Sequence, residues 1–67
     1  MNAQHSMTSV FLAEEPGFLL DGLRAVVAQC PGLVVVGEAA DEPTVTERCI
    51  RLRPDLLLVD LALPRMD

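Results

Sequence analysis

Sixty-seven residues allow one small domain or part of one, and ten acidic against five basic residues give a net charge of −5. We do not expect this segment to bind nucleic acid, because phosphate binding needs a basic face. Although 51% of the residues are hydrophobic, no stretch reaches transmembrane length, so we predict no contact with a membrane.

Residues 1–7 lack the basic start and the long apolar run of a signal peptide, and we predict a disordered leader there. Cys30 and Cys49 are isolated thiols without the spacing of a metal site, which favours a cytoplasmic protein with two buried thiols. The mean hydropathy of +0.36 is high for so short a chain. We therefore expect self-association, a partner chain or a missing C-terminal segment to cover apolar surface.

The first two elements follow different periodicities. Thr8 to Ala13 is a short β-branched and aliphatic run, which predicts a strand that leads directly into Glu14 and Glu15. Phe18 to Cys30 then carries apolar or small residues at helical spacing, before Pro31 and Gly32 end the predicted helix. Its predicted apolar face consists of Phe18, Leu19, Gly22, Leu23, Val26, Val27 and Cys30.

The pattern then repeats. Leu33 to Val36, extended to Ala39, is an unbroken aliphatic run, which indicates a strand covered on both faces, as in a parallel sheet. Asp41 is positioned to cap a second helix, with Val45, Cys49 and Leu52 on one face, and a proline ends that helix.

A third buried-strand run, Leu56 to Val59, ends at Asp60 and leads into a loop over residues 61–67. Strands that alternate with helices of this length predict a β-α-β-α-β unit with parallel strands and right-handed crossovers. The predicted fold class is therefore α/β, with helices on both faces of the sheet.

Three carboxylates follow two of the predicted strands. Ligands of open α/β sheets bind beyond the carboxyl ends of the strands. If the strand order is 2-1-3, Glu14, Glu15 and Asp60 converge on one rim, because neighbouring strands lie about 4.8 Å apart.

A hard divalent cation such as Mg2+ would relieve the repulsion within this cluster. It would also neutralise charge as a carboxylate oxygen attacks phosphorus, with Asp60 as the nucleophile and the two glutamates as metal ligands. The alternative is that these acids only solvate turns or cap helices.

Several short sequence motifs together resemble those of response-regulator receiver domains, in the CheY-like superfamily. Residues 56–67 (LLLVDLALPRMD) are similar to the third-strand signature, in which an aspartate is followed four residues later by proline and then by Met-Asp. Residues 36–41 (VGEAAD) resemble the second strand of receivers in LuxR-type two-component transcription regulators. Residues 11–15 and 21–24 are similar to the first strand with its acidic pair and to the first helix.

The resemblance covers residues 8–67 and implies a partial receiver domain, the N-terminal half of a five-stranded flavodoxin-like fold. It implies that Asp60 accepts a phosphoryl group from a sensor histidine kinase. It also implies that Glu14, Glu15, Asp60 and the backbone carbonyl of Ala62 bind Mg2+. The chain would not itself be an enzyme, and it would control transcription through a DNA-binding domain in a missing C-terminal region.

Two departures from the family pattern leave an alternative open. The acidic pair is usually Asp-Asp or Glu-Asp, so the extra methylene of Glu15 is expected to shift or weaken the metal site. The family's hydroxyl switch residue and lysine come from later strands, which this sequence lacks. Glu15 thus favours a phosphorylation-independent interaction module. A nucleotide binder is disfavoured because no glycine-rich loop follows the first strand, and a phosphatase-type hydrolase because Ala62 stands where a second aspartate is needed.

Overall fold

The computed structural model describes residues 7–63. Its elements are β1 (Thr8–Ala13), α1 (Phe18–Ala28), β2 (Leu33–Ala39), α2 (Glu42–Leu52) and β3 (Leu56–Val59). The predicted β-α-β-α-β order is confirmed, although α1 ends two residues before the predicted Cys30. Apart from Met7, the predicted leader lies outside the described residues, and so does the end of the predicted loop, residues 64–67.

The three strands form one parallel sheet in the order β2-β1-β3. This confirms the predicted 2-1-3 order and the flavodoxin-like α/β class. Because β1 lies between the other two strands, residues that follow β1 and β3 meet at the same edge. Among residues 7–63, no helix is both long and apolar enough to cross a membrane.

The core is built on both faces of β1. Side chains alternate along a strand, so Val10 and Leu12 face one side, where they pack with residues of α1. Phe11 and Ala13 face the other side and pack with α2 and with the loop after β3. The other buried members of these two clusters are Leu20, Val27, Val45 and Leu63.

The prediction that the second strand is covered on both faces and that the third is buried is wrong for both, because Val34 and Val36 of β2 each expose 38% of their surface. Leu56, Leu57 and Leu58 expose 45%, 43% and 38% of their surface. The reason is topological, because β2 and β3 are the two edge strands of the described sheet, and only β1 lies between neighbours. An unbroken aliphatic run indicates an apolar strand but does not say where in the sheet that strand lies.

The predicted apolar face of α1 is also partly wrong. Phe18, Leu19 and Val26 are exposed, whereas Leu20, which the predicted face omitted, is buried together with Val27. The buried pair is spaced i, i+7, which is the period of one narrow helix face. A helix of 11 residues over a three-stranded sheet has only this strip to bury.

The start of α2 follows the sequence prediction. Asp41 adopts an extended conformation, and its Oδ1 accepts a hydrogen bond of 2.9 Å from the Thr44 amide. This contact satisfies a free N–H group of the first turn and lowers the pKa of the Asp41 carboxyl. At the other end, Arg53 takes the left-handed conformation with a φ of 52°, and the chain turns there into β3.

A bulge in β2 makes room for the largest buried side chain. The register between β1 and β2 shifts after Val10, so that Val35 and Gly37 pair with consecutive residues of β1. A Cβ atom at Gly37 would lie 2.6 Å from Cε2 of Phe11. Only glycine allows the β2 backbone to approach the Phe11 ring this closely.

Candidate functional site

Backbone hydrogen bonds bring two acidic residues to the carboxyl edge of the sheet. The Glu14 amide donates to the Ala39 carbonyl at 3.1 Å, and the Asp60 amide donates to the Ala13 carbonyl at 3.0 Å. The ladder thus continues one residue past the end of β1 on one side and of β3 on the other. This fixes Glu14 and Asp60 as neighbours on adjacent strands.

Glu14 is a buried acid, and only one of its two carboxylate oxygens has a hydrogen-bond partner among the described residues. Its side chain is 5% exposed, and Oε1 accepts a hydrogen bond of 2.8 Å from the Glu15 amide. Oε2 is buried and has no hydrogen-bond partner among the described residues. Burial raises the pKa of Glu14, and the Asp60 carboxylate raises it further, against the opposing effect of the Glu15 amide.

Asp60 is half-buried and is held by a turn. The Ala62 amide donates to Asp60 Oδ1 at 2.8 Å, and the Leu63 amide donates to the Asp60 carbonyl at 3.0 Å. Leu63 is only 5% exposed and belongs to the core cluster on the α2 side. The turn is therefore anchored by packing, and it orients the Asp60 carboxylate beside Glu14.

The donor set fits a small hard cation. A buried carboxylate oxygen without a partner, next to a second carboxylate, is the situation that a divalent cation with oxygen ligands would relieve. Such an ion would take one or two carboxylates and complete its shell with water. Glu14 and Asp60 are the residues here that fit Mg2+.

The predicted ligands do not all meet. Glu15 is exposed, and within residues 7–63 no three Asp, Glu, His or Cys side chains come close enough together to hold a metal ion. The structure thus brings Glu14 and Asp60 together without Glu15. At Ala62 it is the amide that contacts Asp60. The roles of Glu15 and of the Ala62 carbonyl as ligands stay predictions.

An apolar groove lies next to the acidic pair, and sequence reasoning missed it. Its volume is about 520 Å³, and Glu14 and Asp60 are among its lining residues. The remaining lining residues are Leu19, Leu23, Leu58, Val59 and Leu61. A signal for it was present in Leu61, an apolar residue directly after the strand-end acid, which is 87% exposed.

The comparisons with known proteins point to one kind of relative. No family model and no solved structure matches the chain. It is similar to protein-glutamate methylesterase/protein-glutamine glutaminase of Alkalilimnicola ehrlichii, with 34% identity over 56 residues, which is 84% of this chain and 14% of the relative. A protein of the same name from Anaeromyxobacter dehalogenans is 36% identical over 58 residues, 87% of this chain and 16% of the relative. One from Myxococcus xanthus is 40% identical with the same coverage of 87% and 16%.

The chain therefore spans only 14% to 16% of the length of these curated relatives. The matched part of these relatives is their receiver domain, a CheY-like receiver of two-component signalling. The similarity to response-regulator receivers in general agrees with the predicted resemblance. The finer likeness to receivers of LuxR-type regulators is not reflected in the names of these relatives.

Proposed function

We propose that this chain is the receiver portion of a two-component response regulator and that Asp60 accepts a phosphoryl group from a sensor histidine kinase. The observation that carries the proposal is the pairing of Asp60 with the buried, partly unsatisfied carboxylate of Glu14 at the carboxyl edge of the sheet. The similarity to receiver domains supports the same function.

The reaction would form one bond and break one. A carboxylate oxygen of Asp60 attacks the phosphorus of a phosphohistidine, and the bond between phosphorus and the imidazole nitrogen breaks as the imidazole leaves. Bound Mg2+ supplies charge neutralisation for the phosphoryl oxygens and the carboxylates. Asp60 is suited to the nucleophilic role because it is only half-buried and lines the groove, where a donor can approach.

Glu14 and Asp60 would provide the carboxylates that hold Mg2+. Glu14 is fixed by its backbone and is buried, so a bound cation would stabilise its charged form. Glu15 and the Ala62 carbonyl are proposed as further ligands. Glu15 would have to turn toward the pair from its exposed position.

The output of such a regulator would lie in chain beyond these residues. The names of the relatives favour an output on protein glutamate or glutamine side chains, as a methylesterase or glutaminase. Control of transcription through a DNA-binding domain rests only on the motif at residues 36–41, which resembles receivers of LuxR-type regulators. In either case we propose that these 67 residues are not an enzyme by themselves and work in the cytoplasm, where the histidine kinase would transfer the phosphoryl group.

The phosphorylation proposal is tested by incubating the chain with Mg2+ and a small-molecule phosphodonor and measuring its intact mass. We expect one phosphoryl adduct in the wild type and in Asp21→Asn, an exposed carboxylate on α1 that serves as the matched control. Asp60→Asn should give no adduct. An adduct that persists in Asp60→Asn would contradict the assignment of the acceptor.

The second candidate function is a phosphorylation-independent interaction module. Its support is Glu15, whose side chain is exposed and is not brought to the Glu14 and Asp60 pair. It predicts no adduct and no binding of Mg2+ by calorimetry. Replacing Glu15 by Asp, which restores a pair usual in receivers, should leave an interaction module unchanged but should strengthen Mg2+ binding in a phosphorylated receiver.

A further inference from the structure

The turn that follows Asp60 is attached to the core by a single side chain among the described residues. Leu61 is 87% exposed and Ala62 is also exposed, whereas Leu63 is only 5% exposed. The Leu63 side chain packs in the core cluster on the α2 side of the sheet. Because closely packed side chains leave little room for movement, this contact fixes the far end of the turn.

Two hydrogen bonds within this turn end on Asp60. The Leu63 amide donates to the Asp60 carbonyl at 3.0 Å, which closes a turn of four residues, and the Ala62 amide donates to Asp60 Oδ1 at 2.8 Å. An aspartate side chain that accepts from the amide two residues further on is held in one orientation by its own backbone. The orientation of the Asp60 carboxylate therefore depends on the conformation of the turn that Leu63 anchors.

The core cluster that holds Leu63 also contains part of the strand beside Asp60. One of its members is Ala13, which directly precedes Glu14 and whose carbonyl accepts the Asp60 amide at 3.0 Å. Asp60 is thus attached to the same packed cluster twice, through the backbone of β1 and through the side chain of Leu63. The backbone contact places the residue at the sheet edge, and the Leu63 contact fixes the turn that orients its carboxylate.

We propose that Leu63 is a positioning residue, which holds the Asp60 carboxylate in the orientation from which it accepts the phosphoryl group. This inference rests on the proposed function, in which Asp60 is the acceptor. Leu63 acts through the turn and does not touch the phosphodonor, because its side chain is buried. Holding a reacting group in one orientation removes part of the entropic barrier, so a loosened turn slows the transfer without changing the acceptor.

The α1 side of the sheet offers a matched control. Leu20 is 3% exposed and packs in the other core cluster, with Val10 and Leu12. Replacing Leu20 or Leu63 by alanine removes the same atoms from a buried site, so we expect the two variants to lose stability to a similar extent. Only the Leu63 variant should loosen the turn, because Leu20 lies on α1 and belongs to the cluster on the opposite face.

The rate of phosphorylation tests the proposal in the 67-residue chain, with Mg2+ and acetyl phosphate as the donor and intact mass as the readout. An Asp60 oxygen attacks the phosphorus, and the bond from phosphorus to the acetyl oxygen breaks as acetate leaves. Per folded chain, we expect Leu63→Ala to slow the transfer about ten- to a hundredfold. Leu20→Ala should stay within about twofold of the wild type. Leu63→Met, which nearly conserves the volume, should restore most of the rate. Far-UV circular dichroism at the reaction temperature gives the folded fraction.

Amide hydrogen exchange tests the turn without any phosphorylation. The amides of Ala62 and Leu63 donate the two hydrogen bonds to Asp60, so they should be protected in the wild type and in Leu20→Ala. They should lose this protection in Leu63→Ala and regain it in Leu63→Met. If the alanine variants unfold, Leu63→Val and Leu20→Val leave smaller cavities and allow the same comparison.

Three results would overturn the role of Leu63. The first is equal slowing by Leu63→Ala and Leu20→Ala, because the effect would then come from lost stability. The second is a wild-type rate in Leu63→Ala, and the third is an Ala62 amide that stays protected in that variant. A wild-type chain that forms no adduct would instead refute the proposed function and, with it, this inference, so the two failures are distinguishable.

Discussion

Strands β1 and β3 are both short and apolar, both run directly into an acidic residue, and they lie side by side in the sheet. Yet Val10 to Ala13 are at most 1% exposed, whereas the leucines of β3 remain about 40% exposed. The difference comes from position alone, because β1 has a strand on each side and a helix over each face. The central strand thus contributes the buried core that stabilises the fold, whereas the edge strand keeps apolar surface open to solvent.

The carboxylates next to these two strands have pKa values that are shifted in opposite directions. Glu14, which continues the central strand, is buried and has a raised pKa. Asp55, which precedes the edge strand, is exposed, and hydrogen bonds from Ser9 lower its pKa. The same sheet therefore destabilises one ionised acid and stabilises another, and the comparison can be tested by substitution in each strand.

The largest expected difference is between Phe11→Ala and Leu57→Ala. Truncating a fully buried phenylalanine costs about 3–5 kcal/mol, which is comparable to the whole stability expected of so small a domain. Truncating the half-exposed Leu57 should cost only about 1 kcal/mol. Urea denaturation at a concentration below self-association measures both. A similar loss in the two variants would refute the distinction between central and edge strand.

A second test addresses the close approach of β2 to the central strand. Gly37→Ala should destabilise the chain by about 1–3 kcal/mol, because the new methyl group collides with the Phe11 ring. Gly22→Ala is the matched control on α1, where a Cβ meets open space. There alanine should stabilise the helix by about 0.5–1 kcal/mol. Thermal or urea unfolding of the two variants should therefore shift in opposite directions.

A third test uses the pH dependence of Glu14. Because its pKa is raised in the folded chain, stability is highest below the usual value of 4.5 and is lost as the pH rises through the folded pKa. Glu14→Gln should remove this loss, so that the variant gains on the wild type as the pH rises above 4.5. Glu15→Gln, the exposed neighbour, should keep the wild-type profile. Parallel profiles for all three proteins would show that Glu14 is not buried as an acid.

Sequence alone predicted the order of the elements, because that order depends on local periodicity. It predicted the strand order because the connections are short, and the cap at Asp41 because a cap depends on one side chain. It also predicted that Glu14 and Asp60 would share an edge. It could not predict that Glu15 stays exposed and does not join the pair, since that depends on how the chain turns after Ala13. It misjudged β2, β3 and α1 because an apolar run does not reveal which of its side chains a neighbour will cover.

The smallest expected effect concerns Asp55 and should have the opposite sign to that of Glu14. Its pKa is lowered by the Ser9 amide and hydroxyl, so its contribution is present above the usual value of 3.8 and is lost as the pH falls through the folded pKa. The carboxylate is exposed, so solvent and salt screen its charge and the loss should be small. Asp55→Asn should flatten this acidic limb, and Ser9→Ala should flatten it only in part, because alanine keeps the backbone amide that donates to Asp55. The double variant should do no more than Asp55→Asn alone, because the hydroxyl acts on the pH dependence through Asp55. Additive effects in urea titrations at low pH would mean that Asp55 stabilises β3 through some contact other than Ser9, and the edge strand would then have a second attachment.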